Sequence, residues 1–317
     1  MKLGIIMDPI QDIKINKDSS FAMLLAAQAM GWDIYYMEIP DLFLVDNKPA
    51  AKMRQLMVED NPQGWFKIID ESTAGLDELD IILMRKDPPI NMDYIYITHL
   101  LDLALKAGVY VVNNPSSLRE VNEKLFISWF PEFIAPTLVS RNEEQIFAFI
   151  DEQCDIILKP LDGMGGTSVF RVTNTDANAG VIIETLTDKG RKFAMAQRFI
   201  PEITHGDKRI LLIDGEPVPY ALARIPRPGE HRGNLAAGGK GRGVDLTERD
   251  RQICEGIAPV LREMGLIFVG IDVIGNYLTE INVTSPTCIR ELDNIYNLNI
   301  ARDLLLVIEN KVNQHKH

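Results

Sequence analysis

Ile156-Ile157-Leu158-Lys159-Pro160-Leu161-Asp162-Gly163-Met164-Gly165-Gly166-Thr167 runs from an apolar strand pattern through a lysine into three glycines. A strand that ends in a cation and opens into a glycine loop suits anions. Where no Cβ intervenes, backbone N–H groups approach phosphate oxygens closely. The spacing is not a Walker A loop, because no Gly-Lys-Ser/Thr follows the glycines. Alone, the cluster fits a tight hairpin equally well, so its meaning depends on what flanks it.

Before this segment, strand and helix patterns alternate. Residues 3–7 form a short apolar run closed by Asp8-Pro9. Residues 18–30 read as a helix with Asp18 or Ser19 as N-cap and Gly31 as its stop. Strands follow at 32–39, 80–84 and 109–112, with a helix over 92–106 ending at Gly108. That is a βαβ succession, hence a parallel sheet covered by helices. Residues 41–73 suggest a hairpin-like excursion, and 116–130 read as a helix before Pro131 and Pro136 mark a junction between about 115 and 140.

After the junction the pattern changes. Strands are expected at 137–139, 156–159, 168–172 and 193–199, with helices at 143–152 and 181–188. Residues 209–213 and 218–223 flank Asp214-Gly215, a hairpin signal. A helix over 248–263 ends at Gly265, and strands at 267–274 and 278–283 flank Gly275-Asn276. The fold class is therefore α/β in the first part and α+β in the second.

Composition narrows the function. The chain has 317 residues with 46% hydrophobic and 25% charged, which suits two or three globular domains. Its net charge of −12 disfavours non-specific binding to nucleic acid or an anionic membrane. Cys154, Cys254 and Cys288 lie far apart with no CxxC, so neither a zinc site nor a disulfide framework is expected. The first apolar stretch is too short for a signal segment and no 18-residue apolar run occurs, so the reading is a soluble, cytoplasmic protein.

In so acidic a chain, residues 225–243 are exceptional. They carry Gly229, Gly233, Gly238, Gly239, Gly241 and Gly243, with Arg227, Arg232, Lys240 and Arg242 against one acid, Glu230. The expectation is a long mobile lid whose cations close over anionic oxygens; a solvated surface loop is the plain alternative. Asp272 on one strand, with Glu280 and Asn282 two apart on the next, offers three oxygen donors suited to Mg²⁺. A two-residue turn at Gly275-Asn276 would set Asp272 opposite Thr279. A shared metal demands an odd-length connection, or else a bulge, that sets Asp272 opposite Glu280. The odd-length connection is the one expected. The histidines form no ligand spacing, no Gly-x-Ser-x-Gly elbow occurs, and Cys288 reads as a packed thiol.

Five strings stand in a telling order: Met84-Arg85-Lys86-Asp87-Pro88-Pro89, Asn122-Glu123-Lys124-Leu125, Lys159 to Gly166, Arg232 to Gly239, and Thr279-Glu280-Ile281-Asn282-Val283-Thr284-Ser285-Pro286-Thr287. Together they resemble the bacterial glutathione synthetase family of ATP-grasp ligases. The resemblance thins in 41–75, at 198–200 and after about 291. It implies a Rossmann-like pre-ATP-grasp domain over 1–122 that binds the substrate, followed by a two-part ATP-grasp fold. The parts would be a central, lid-like subdomain over 123–200 and a C-terminal catalytic subdomain over 201–317, bearing the flexible loop 225–243.

The implied reaction joins γ-glutamylcysteine to glycine with ATP, through an acyl phosphate, giving ADP and phosphate. In that scheme Lys124, Lys159 and the loop of Gly163, Gly165 and Gly166 hold nucleotide phosphates, Asp207 lies near the ribose, and Gln197 to Ile200 reads adenine. This chain has Arg198-Phe199 in that linker, where backbone contacts survive substitution. Arg209, Arg224 and Arg232 stabilise the reacting groups. Asp18, Ser19, Ser20, Arg85, Asn234, Ser285, Pro286 and Thr287 bind the dipeptide, with Arg85 able to contact a carboxylate bidentately. Asp272, Glu280 and Asn282 hold Mg²⁺, for which Mn²⁺ can substitute. The resemblance also implies a homo-oligomer, a homotetramer. Two other readings stay open: another ATP-grasp ligase, joining D-alanines or adding glutamate, and a non-catalytic ATP-binding protein.

Overall fold

The computed structural model describes residues 1–230, 233 and 238–315. Arg232 and Asn234, two of the expected lid residues, lie outside the described residues.

The first sheet contains β1 (Lys2–Ile6), β2 (Asp33–Met37), β3 (Leu42–Val45), β4 (Lys48–Val58), β5 (Phe66–Gly75), β6 (Ile81–Met84) and β7 (Tyr110–Val112). Strands β2, β1, β6 and β7 pair in parallel, as the βαβ pattern requires. The 41–73 excursion is an antiparallel extension, with β4 pairing β2, β3 and β5. Helix α1 (Ser19–Ala29) starts where Asp18 accepts the Phe21 N–H at 2.6 Å. Helix α2 (Met92–Lys106) starts on an Asn91 cap.

The expected helix over 116–130 is broken. α3 spans only Pro115–Glu120, and a 3-10 turn follows at Phe126–Trp129. Asn122 is the cause: its Oδ1 accepts the N–H groups of Lys124 at 3.1 Å and Leu125 at 3.0 Å, replacing helical partners. The break puts Lys124 on a fixed turn.

The second sheet has the antiparallel order β10 (Phe170–Thr173), β9 (Asp155–Pro160), β11 (Ala194–Arg198), β8 (Thr137–Ser140). It packs α4 (Glu143–Gln153) and α5 (Ala179–Leu186) around a core of its own that includes Ile146, Ile150, Leu158 and Ile183. The third sheet comprises β12 (Asp207–Ile213), β13 (Glu216–Pro217), β14 (Tyr220–Ile225), β15 (Lys240–Asp245), β16 (Phe268–Ile274) and β17 (Tyr277–Asn282). Its main order is β15-β14-β12-β16-β17, with β13 closing the Asp214-Gly215 hairpin on β12. Both hairpin residues have positive φ, 52° and 80°, as a type I′ turn requires. Helix α6 (Glu248–Glu263) flanks this sheet on a Thr247–Asp250 capping box. Helices α7 (Ile289–Tyr296) and α8 (Ile300–His315) pack against α1. The apolar cores of the first and third sheets merge, Ile6 and Leu101 joining one cluster with Ile210 and Val273.

Two expectations need correction. Residues 240–243 belong to a strand: β15 pairs antiparallel with β14, so Lys240 and Arg242 stand on an ordered ladder opposite Ile225 and Ala223. The connection between β16 and β17 is also not odd. Ile274 pairs Tyr277 across a two-residue turn, and a bulge at Thr279 then brings Asp272 opposite Glu280. The bulge supplies the shift expected of the turn. No helix among the described residues is long and apolar enough to cross a membrane.

Candidate active site

Two clefts meet where the second and third sheets face each other. The first, of about 860 Å³, is lined by Lys124, Lys159, Gly163, Gly165, Gly166, the residues Gln197 to Ile200, Asp207, Gly233 and Glu280. The second, of about 810 Å³, is lined by Arg209, Arg224, Glu280, Asn282, Thr284, Ser285, Thr287 and Cys288. Glu280 and Gly165 border both.

Lys159 ends β9, and its ammonium lies 3.7 Å from Glu280 Oε1. Lys124 lies at the same distance from that oxygen, donates to Gly163 O at 2.7 Å, and also contacts Glu123. Two lysines from distant segments therefore converge on one carboxylate. Burial depresses the pKa of Lys159. Lys124 also pays for desolvation, but the charges of Glu280 and Glu123 outweigh it and raise its pKa. In the loop between the lysine and β10, Gly165 and Gly166 have φ of 64° and 81°, the left-handed region where glycine is at ease. Gly233 is tight for another reason: a Cβ there would stand 2.5 Å from Arg224 O.

The third sheet carries the charge network. Asp272, 2% exposed, accepts Arg209 Nε at 2.5 Å and Nη2 at 3.0 Å, and Arg224 Nη2 lies 2.9 Å away. Desolvation favours its acid form, yet the two guanidiniums prevail and hold its pKa well below the ordinary carboxylate range. Arg224 also pairs with Asp207. Burial pushes the Asp207 carboxyl up to about 7, with Arg224 opposing, and its Oδ1 has no hydrogen-bond partner among the described residues. Asn282 Nδ2 donates to Gly270 O at 3.1 Å and faces Asp272 Oδ2 at 3.4 Å. Both contacts use Nδ2, so Oδ1 is the atom this amide has for a cation.

Two carboxylates and an amide oxygen on paired strands are hard donors, a set that fits a divalent cation bound jointly with phosphate oxygens. Among the described residues no group of three or more His, Cys, Asp or Glu gathers as a metal site.

The segment expected to read adenine, Gln197 to Ile200, is partly committed to other bonds. The amide N–H groups of Arg198 and Phe199 donate to Pro136 O at 3.0 Å and Asp155 O at 2.9 Å. Gln197 donates its side-chain amide to Thr137 Oγ1 at 3.1 Å, and Arg198 reaches Tyr277 OH at 2.9 Å. The expected N-terminal set sits behind the second cleft. Ser20 Oγ accepts Arg85 Nε at 3.1 Å, Ser19 Oγ accepts the Ile289 N–H at 3.2 Å, and Arg85 Nη2 donates to Pro286 O at 2.9 Å. Arg85 Nη1 has no hydrogen-bond partner among the described residues, on a side chain otherwise committed to Ser20 and Pro286. Cys288 is a buried free thiol, as the packed reading held, although it borders the second cleft.

Residues 1–119 match the prokaryotic glutathione synthetase N-terminal domain, and residues 123–297 match that enzyme's ATP-grasp domain. Glutathione synthetase of Pseudomonas syringae pv. tomato is 57% identical over 316 residues, covering 100% of this chain and 99% of the relative. That of Vibrio vulnificus strain YJ016 is 55% identical over 312 residues, 98% of each chain. The chain belongs to the prokaryotic glutathione synthetase family. Membership makes it an ATP-grasp ligase that uses ATP and a divalent cation and acts on small molecules. Among solved structures, D-cycloserine synthetase DcsG aligns with TM-score 0.68 at 14% identity, covering 98% of this chain and 100% of that one. A Chryseobacterium gregarium RiPP-associated ATP-grasp ligase aligns with TM-score 0.65 at 15% identity, over 98% and 97%. These two share the fold. The ATP-grasp fold expected from the motifs is thus established, and the full-length relatives decide among the open readings for the glutathione-forming one.

Sequence reasoning passed over Glu123 and Asn122. Glu123 faces Lys124 and borders the second cleft, and its carbonyl accepts the Ile281 N–H at 2.9 Å, tying the Lys124 turn to β17. An acid beside the expected phosphate lysine was the available signal. Asn122 gave one too: an asparagine inside a helical pattern is a frequent breaker.

Proposed function

We propose that this chain joins γ-glutamylcysteine to glycine at the expense of ATP, with Mg²⁺ as the cation and Mn²⁺ as an acceptable substitute. The observation that carries the reading is the convergence of Lys124 and Lys159 on Glu280 at the boundary of two clefts. One cleft then takes the nucleotide and the other the dipeptide, with the γ-phosphate between them.

In this reading a carboxylate oxygen of the dipeptide's cysteinyl end attacks the γ-phosphorus, the bond to the β-phosphate oxygen breaks, and ADP departs. The glycine nitrogen then attacks the acyl carbon, phosphate leaves, and the ammonium proton is lost to solvent. Such transfer asks the protein for positioning and charge more than for covalent help. Lys124, Lys159 and the loop of Gly163, Gly165 and Gly166 hold the phosphates. Residues 197–200 border the adenine and Asp207 the ribose. Asp272, Glu280 and Asn282 hold the cation, which neutralises phosphate charge when bound. Arg209 and Arg224 border the second cleft, where the carboxylate and tetrahedral species develop negative charge. Arg232, expected to stabilise the same species, and Asn234, expected to bind the dipeptide, lie outside the described residues.

The second cleft takes the dipeptide against Ser285, Pro286 and Thr287, with Asp18, Ser19, Ser20 and Arg85 behind that turn. We assign the substrate domain to 1–122, the central subdomain to 123–200 and the catalytic subdomain to 201–317, in a cytoplasmic homotetramer. Phosphate release measured over a panel of acceptors tests the reading. Release should require γ-glutamylcysteine and glycine together; release with D-alanine alone or with glutamate would overturn it.

A further inference from the structure

The turn that walls the second cleft, Thr284 to Cys288, is suspended from side chains of the first sheet's half of the chain. Arg85 Nη2 holds Pro286 O at 2.9 Å in the middle of the turn, and Ser19 Oγ holds the Ile289 N–H at 3.2 Å at its far end. Its near end is held by Asn113, just after β7. Asn113 Nδ2 donates to Val283 O at 2.7 Å and to Phe268 O at 2.8 Å, while its Oδ1 accepts the Phe268 N–H at 2.9 Å.

An asparagine amide offers two donor hydrogens and an acceptor oxygen. Here both donors and the oxygen all go to main chain at least 155 residues away in sequence, on a residue 4% exposed. The location is specific. The paired register of β16 and β17 ends at Gly270 with Asn282. Beyond that pair the Asn113 amide stands between Phe268, two residues before Gly270, and Val283, one residue after Asn282, and bonds the main chain of both. It therefore fixes the direction in which the chain leaves β17 and enters the turn. Asn113 does not line the second cleft; with Arg85 and Thr284 it borders a separate small pocket.

We infer that Asn113 is a positioning residue for the dipeptide subsite, setting the Thr284–Cys288 turn without touching the substrate. The inference rests on assigning the second cleft to γ-glutamylcysteine. Without the amide, Val283 O and the Phe268 peptide group are left buried without partners, and the chain must shift or admit water to satisfy them. A displacement of about 1 Å at a subsite is enough to cost an order of magnitude or more.

The test compares the wild-type enzyme with Asn113→Ala and Asn113→Ser, well below their melting temperatures. It reads steady-state constants for each substrate and amide hydrogen exchange at residues 283–289. The expected result is a rise of about tenfold or more in KM for γ-glutamylcysteine. KM for ATP should stay within about twofold. Exchange should quicken across 283–289 and stay unchanged in β12. Asn113→Ser carries the same comparison if the alanine variant does not fold. A lowered melting temperature with unchanged KM for the dipeptide, or an equal rise for ATP, would make Asn113 a scaffold residue and overturn the inference. Wild-type protein inactive on γ-glutamylcysteine would instead sink the functional reading, and the exchange comparison tells the two failures apart because it needs no substrate.

Discussion

Replacing Asp272 by asparagine should damage stability and turnover together, whereas Glu280→Gln should damage turnover far more than stability. Asp272 is 2% exposed and is the only carboxylate paired with Arg209 among the described residues. An asparagine turns an NH₂ toward guanidinium donors and leaves Arg209 buried without an anion. Breaking such a pair costs about 3–5 kcal/mol. A unit pair at about 4 Å with an effective dielectric near 20 gives a similar figure, about 4 kcal/mol. At roughly 2–4 °C per kcal/mol, or slightly less for a chain this long, the melting temperature should fall by about 5–15 °C. Glu280 is different: its side chain is 21% exposed, its two lysines stand at 3.7 Å, and Lys124 keeps Glu123. That pairing is looser, at 3.7 Å against 2.5–3.0 Å around Asp272, so its loss should cost less than the loss of Asp272. Turnover should fall by about 100-fold or more in both variants. Circular dichroism melts and phosphate release, run on the same preparations, decide the matter. Equal melting shifts in the two variants, or a wild-type-like melt for Asp272→Asn, would refute the charge network as described.

The same carboxylate gives a pH signature. The Asp272 pKa is depressed in the fold, so its stabilisation is fully present above the unfolded value of about 3.9 and is lost as pH falls toward the folded value. The stability gap between wild type and Asp272→Asn, measured by urea titration, should be constant from pH 7 to about 5 and shrink below about 4. Arg85→Ala removes the prop under Pro286 and should raise KM for γ-glutamylcysteine several-fold more than KM for ATP; an equal rise would detach Arg85 from the dipeptide site. Limited trypsin digestion should cut after Arg232 ahead of Lys240 and Arg242, because those two stand in β15 and Pro228 protects the bond after Arg227, and ATP with an acyl-phosphate mimic should slow the cut. Enzyme nicked there should release phosphate in excess of peptide formed. A normal ratio would make 226–239 a surface loop.

What could be read from the sequence follows from where local and global preferences agree. The helices at Met92–Lys106 and Glu248–Glu263 announced themselves by residue spacing and by the Gly108 and Gly265 stops, and the structure caps them with Asn91 and Thr247. Lys159, Asp272, Glu280 and Asn282 were legible because each stands where an apolar pattern breaks for a charge or an amide, whereas Lys124 came from the family resemblance alone. What failed depended on partners far along the chain. No propensity marks Lys240–Asp245 as a strand; its pairing with Tyr220–Ile225 makes it one. The bulge at Thr279 is a property of two strands counted together, so the carboxylates came to face each other by a route the turn length did not reveal. The helix expected through 130 yielded to Asn122, whose side chain competes for backbone donors. Asn113 gave no warning, since an asparagine after a short strand reads as a turn residue until its three long-range partners are known.

Oxygen transfer is the most direct test of the central claim, that the dipeptide carboxylate is phosphorylated by ATP and then taken by glycine. γ-Glutamylcysteine labelled with ¹⁸O in its cysteinyl carboxylate is turned over with ATP, Mg²⁺ and glycine, and the released phosphate is analysed by mass spectrometry. The account predicts one labelled oxygen in each phosphate and one tripeptide formed per phosphate. Phosphate free of label, with tripeptide still formed, would contradict it.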